Sequence, residues 1–194
     1  MKKQLLILTA LLVVISVARP VRSQEKKPNT ATPTDAETSA QMAGAMKGLR
    51  DRLLTSSPQE IGLSTEDAKA RVWGAMIEVA FAEGVATLVS LRDGTASLYV
   101  STGGGILGGY SARNEAKRFV EESEKHLASM KLTKAFPYPT AGMVKFFVLT
   151  QEGVYSFEVE ERELISGKHP LGPLFLAGNK VMTGLRNAKE RAKP

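Results

Sequence analysis

The residues with the most chemical promise lie in Gly103-Gly104-Gly105-Ile106-Leu107-Gly108-Gly109. Gly103, Gly105 and Gly108 fit the spacing G-x-G-x-x-G, between a run that reads as a strand and one that reads as a helix. Glycines let backbone N–H groups approach a phosphate, and the first turn of a helix favours an anion. With Ser111 at the start of that helix, Gly103, Gly105, Gly108 and Ser111 form the candidate ligand-binding set. The surroundings favour a flexible strand-to-helix connection instead. The preceding strand is half of an antiparallel hairpin, and the position about 20 residues on, where a ribose-binding acid would stand, falls inside the next helix. Gly108 is followed by Gly109-Tyr110, not by the Lys and Ser/Thr of a phosphate loop. Ser111 reads as an N-cap.

Other reactive residues are scattered. His126 follows Glu122 by four positions, so one helix face holds two possible metal ligands, but no third is evident. His169 precedes Pro170 in a turn. Ser111 is followed by Ala112-Arg113 rather than by the glycine of a nucleophile elbow. The only S-x-x-K runs from Ser23 to Lys26, and the chain has no cysteine. Glu158 and Glu160 share one strand face about 7 Å apart, and they read as solvated carboxylates. Tyr138, between Pro137 and Pro139, reads equally as an exposed contact or as a cap on the core. No catalytic set, no metal site and no cofactor follows from these residues.

The elements that must position them are legible in outline. Ala40 to Leu54 reads as a short amphipathic helix. Ser64-Thr65-Glu66-Asp67 has the form of a capping box. Val72, Trp73, Met76, Ile77, Ala80 and Phe81 then recur at helical spacing, with Gly84 as the stop. Val85–Leu91 and Thr95–Thr102 read as strands joined at Asp93-Gly94, a hairpin signal. A helix from about Ser111 to Met130 carries Lys117/Glu121, Arg118/Glu122 and Glu121/Lys125 pairs on its outer face. Leu132–Phe136, Met143–Thr150 and Val154–Glu160 read as strands. A last helix runs from Leu171 to Lys189, weakened by Gly178 and Gly184.

Residues 1–23 have the layout of a secretory signal: Lys2-Lys3, an apolar run from Leu5 to Ala18, and small residues near Ser23. That run is about 21 Å of helix, short of the roughly 30 Å bilayer core, so no stable membrane span is expected after cleavage. The full chain carries a net charge of +6. Loss of Lys2, Lys3, Arg19 and Arg22 leaves 22 basic against 20 acidic side chains, so no nucleic-acid partner is expected. Gln24–Ser39 reads as a disordered linker, and residues 40–194 as one globular domain.

The fold expected is α+β: an antiparallel sheet of about five strands with helices mainly on one face, in the order α-β-β-α-β-β-β-α after a short N-terminal helix. This order is similar to that of roadblock and longin-type domains, a similarity that implies a non-enzymatic scaffold pairing through its surfaces. The expected function is an exported, secreted or periplasmic, non-catalytic binding or assembly domain with a protein partner or self-association. The alternative is a small-ligand or phosphate-binding domain using residues 103–109.

Overall fold

The computed structural model describes residues 35–192. The expected signal and the expected linker as far as residue 34 lie outside them. A long helix α1 (Asp35–Thr55) leads to a single turn of helix, α2 (Thr65–Lys69), and then to four strands: β1 (Val72–Phe81), β2 (Gly84–Leu91), β3 (Ala96–Val100) and β4 (Gly105–Gly109). Helix α3 (Arg113–Glu124) and a 3-10 turn (Leu127–Ser129) precede β5 (Lys131–Thr133), β6 (Met143–Thr150) and β7 (Gly153–Glu160). Helices α4 (Glu161–Ile165) and α5 (Gly172–Arg191) close the chain.

The fold is α+β. All seven strands form one antiparallel sheet in the order β4-β3-β2-β1-β6-β7-β5. Two of the strands correct the expected order. Val72–Phe81 is a strand and not a helix; apart from Glu78 it is apolar on both faces, which hides the strand period. In a continuous apolar run the i, i+3 and i+4 positions are apolar whatever the conformation, and a central strand covered on both sides shows no alternation. Ser64 does cap a helix, but only α2: its Oγ accepts from the Asp67 amide at 3.1 Å and donates to the Asp67 carboxylate at 2.7 Å. The second correction is Gly105–Gly109, which is β4 and not a loop. Helix α1 also begins at Asp35, so the last five residues of the expected linker are helical.

Each face of the sheet has its own apolar cluster. One packs Ala75, Ile77 and Val79 of β1 with Phe146 and Val148 of β6 against Phe119 and Val120 of α3 and Leu174, Val181 and Leu185 of α5. The other packs Trp73, Met76, Val89, Phe147 and Leu149 against Leu53 and Leu54 at the end of α1. Helices therefore lie on both faces rather than mainly on one. The two glycines that weaken α5 in sequence terms sit where it touches its neighbours. A Cβ at Gly178 would stand 3.2 Å from Ile77 and 3.3 Å from Phe119, and one at Gly184 would stand 2.9 Å from Ala112. Absent side chains let α5 lie close to β1 and to the entry of α3.

Candidate functional site: an open sheet edge above a buried ion pair

Strand β4 is the outer strand at one end of the sheet and pairs with β3 alone. Its entry is a turn in which the Val100 amide donates to the Gly104 carbonyl at 3.1 Å and the Gly103 amide to the Val100 carbonyl at 2.9 Å. Gly103 and Gly104 take φ of 110° and 88° there, which favours glycine. The Gly108 amide donates to Ser97 Oγ at 2.8 Å. Two of the amides that would cradle a phosphate are thus bound within the chain. Ser111 does not cap α3; the N-cap residue is Ala112, with no side-chain hydrogen bond. The four candidate residues are therefore strung along one segment: Gly103 in the entry turn, Gly105 and Gly108 in the edge strand, and Ser111 just before the N-cap of α3, so they do not gather round one point.

Gly105 is fixed by a close approach: a Cβ there would stand 2.2 Å from the Leu98 carbonyl oxygen. Gly105→Ala must push β4 away from β3. We expect it to lower stability by about 1–3 kcal/mol and to raise amide exchange across residues 105–109. A variant as stable as the parent, with β4 still protected, would refute the close approach.

The chain between Asp93 and Arg113 carries no charge over residues 94–112. Along this edge Leu107 is 54% and Tyr110 57% exposed. The Tyr110 hydroxyl donates to Asp93 at 3.2 Å, and the Arg113 guanidinium lies 5.2 Å from its ring. An exposed aromatic ring is so held in one place beside an exposed leucine. The opposite edge differs. β5 is three residues long and begins at Lys131, with Lys134 just beyond it. Short length and lysines keep an edge from pairing with other chains; β4 has neither lysine nor proline.

Beneath α1 a row of polar side chains crosses the sheet: Tyr99, Thr87, Glu78, Lys145 and Glu158 are neighbours in register on β3, β2, β1, β6 and β7. Glu78 is fully buried and Arg50 of α1 is 2% exposed. Arg50 grips both carboxylate oxygens of Glu78, with Nη2 to Oε2 at 2.9 Å, and the Thr87 hydroxyl donates to Oε1 at 3.0 Å. The Tyr138 ring lies 4.1 Å from the guanidinium and closes it from outside. Tyr138 therefore caps the core. Burial opposes the Arg50 charge, but the hydrogen bonds and charge of Glu78 outweigh it and hold its pKa above the usual value. Lys145 pairs with Glu158 at 2.9 Å. Every strong donor and acceptor here has a partner, so this row clamps α1 to the sheet.

The remaining sequence candidates are paired or apart. Glu158 is held by Lys145, and Glu160 forms an ion pair with Arg162. Glu122 accepts from Lys125 at 2.7 Å and lies 3.2 Å from His126 Nε2. Among the described residues no group of three His, Cys, Asp or Glu could hold a metal ion. His169 stacks obliquely on Phe157, 5.9 Å between ring centres.

Burial pushes the Tyr99 phenol above its usual pKa, while a bond to Ser97 pulls the other way; burial also raises Tyr138. A phenol with a raised folded-state pKa contributes stability below its unfolded value of about 10, which is lost as pH rises through the folded value. Unfolding midpoints are therefore expected to fall above about pH 10, and Tyr99→Phe to fall less steeply. Identical slopes for parent and variant would exclude Tyr99 as a source.

Comparison with family models, with curated proteins and with solved structures gave no match to this chain.

Proposed function

We propose that this chain is an exported, non-catalytic binding domain that engages another polypeptide by strand addition at β4. One observation carries the reading. The two ends of the sheet are treated oppositely: β5 is short, begins at Lys131 and is followed by Lys134, while β4 is uncharged and lies in a charge-free stretch, residues 94–112. An unguarded edge is an aggregation hazard unless another strand takes it. Main-chain hydrogen bonds to an incoming strand then supply affinity, and exposed side chains supply selectivity. Leu107 and Tyr110 are the side chains placed to do so. Strand addition is favoured over an anion cradle because the Gly103 and Gly108 amides already have partners inside the chain. The N-terminal sequence supports export.

A photo-activatable residue placed at Leu107 tests this in the producing cell, with Leu132 on the opposite edge as the control. We expect a discrete covalent adduct from position 107 and none from position 132. No adduct at 107, or equal adducts at both, would overturn the reading.

A further inference from the structure

We infer that the strand added at β4 is β4 of a second copy of this chain, paired antiparallel about a two-fold axis at Leu107; this rests on the strand-addition reading. The argument is the order of side-chain sizes along the edge. Pairing centred on Leu107 sets Ile106 opposite Gly108 and Gly105 opposite Gly109. It also sets Tyr110 opposite Gly104. Nothing lies within 4 Å of where a side chain at Gly104 or at Gly108 would stand, so both positions have room for the facing Tyr110 or Ile106. Each bulky residue meets a glycine, and the only bulky pair is Leu107 with itself. A two-fold interface must be self-complementary in this way.

Charge points the same way. With no Asp, Glu, Lys, Arg or His at residues 94–112, two copies of the edge approach without like-charge repulsion. The joined sheets would be continuous across the axis, with Leu107 of each copy on it. The strand contact is small, so a reversible dimer is expected rather than an obligate one.

The absence of native cysteine makes the test clean. Facing residues in an antiparallel pair have Cα atoms about 4.5–5.5 Å apart, within the roughly 4.4–6.8 Å a disulfide needs. In the chain isolated after export, Leu107→Cys is expected to form a disulfide-linked dimer on mild oxidation, while Leu132→Cys stays monomeric. Sedimentation of the parent should show a concentration-dependent dimer. Leu107→Lys, which opposes two ammonium groups on the axis, should raise its dissociation constant by about tenfold or more, with tryptophan fluorescence unchanged. A parent that stays monomeric and a Leu107→Cys thiol that stays reduced overturn the self-pairing. If the photo-adduct at Leu107 still forms with a different polypeptide, strand addition survives and only the second copy is wrong. If no adduct forms, both fall.

Discussion

Arg50→Ala is expected to destabilise the fold by about 3–5 kcal/mol, because it strands a fully buried carboxylate. Arg50 supplies two hydrogen bonds and the ion-pairing charge to Glu78, and the Thr87 hydroxyl alone does not replace them. Alanine would also remove the surface on which Tyr138 rests. The double replacement Arg50→Met with Glu78→Leu should cost far less, since matched apolar groups need no ion pairing. Arg50→Lys should fall between, because a lysine cannot grip both oxygens. Urea midpoints of the four proteins check this order. The helix gives a second readout. Among the residues of α1 whose burial is described, Arg50, Leu53 and Leu54 are the buried ones, so its hold on the sheet is concentrated near its C-terminal end. Protease sensitivity of Asp35–Thr55 should therefore rise in Arg50→Ala before the rest of the domain opens. An Arg50→Ala protein within 0.5 kcal/mol of the parent would mean that the pair does not clamp α1.

Trp73→Ala is expected to cost about 3–5 kcal/mol. Trp73 is 3% exposed, and its indole N–H donates to the Thr150 carbonyl at 3.1 Å, tying β1 to the end of β6. Trp73→Phe keeps most of the apolar volume and loses that bond, so about 1–3 kcal/mol is expected for the carbonyl left without its partner. Equal stability of Trp73→Phe and the parent would remove the hydrogen bond from the account. As the single tryptophan, Trp73 reports parent unfolding by fluorescence; the variants need circular dichroism.

What the sequence made legible follows from where patterns are unambiguous. β6 and β7 were readable because an apolar run and an alternating run flank Gln151-Glu152-Gly153, and the structure pairs them in full register. The Asp93-Gly94 turn between β2 and β3 was readable from its turn chemistry: the Thr95 amide donates to Asp93 Oδ1 at 2.8 Å, and Gly94 takes a φ of 90°. β1 was misread because burial on both faces erases the period that separates strand from helix. β4 was misread because Gly105, Gly108 and Gly109 are of a type depleted in strands, and the close approach of β3 that requires glycine at Gly105 is invisible in the sequence. The Glu78–Arg50 pair was missed although one signal existed. Glu78 and Lys145 are the lone charges of their strands, Val72–Phe81 and Met143–Thr150. A solitary charge in a buried strand requires a partner. Arg50 gave no such sign, because it lies among the charged residues Lys47, Asp51 and Arg52 of a helix read as amphipathic, where a cation is expected on the solvated face.

The sequence suggests anion binding for the glycine stretch, and the structure places Gly105–Gly109 on a sheet edge. The glycine stretch stood out by composition, and glycine-rich segments suggest phosphate loops by their spacing. Conformation separates the two uses: a phosphate loop aims free amides at one point, whereas an edge strand spreads them along a line. Here the bond from the Gly108 amide to Ser97 and the turn at Gly103 and Gly104 commit the segment to the sheet.

Amide hydrogen exchange along Gly105–Gly109 tests strand addition most directly. If a second strand covers β4, its amides should exchange slowly in concentrated protein and faster on dilution or in Leu107→Lys, while β1 and β6 stay unchanged. Exchange in β4 that is equally fast under all three conditions would contradict self-paired strand addition; together with no cross-link at Leu107, it would leave the edge unoccupied.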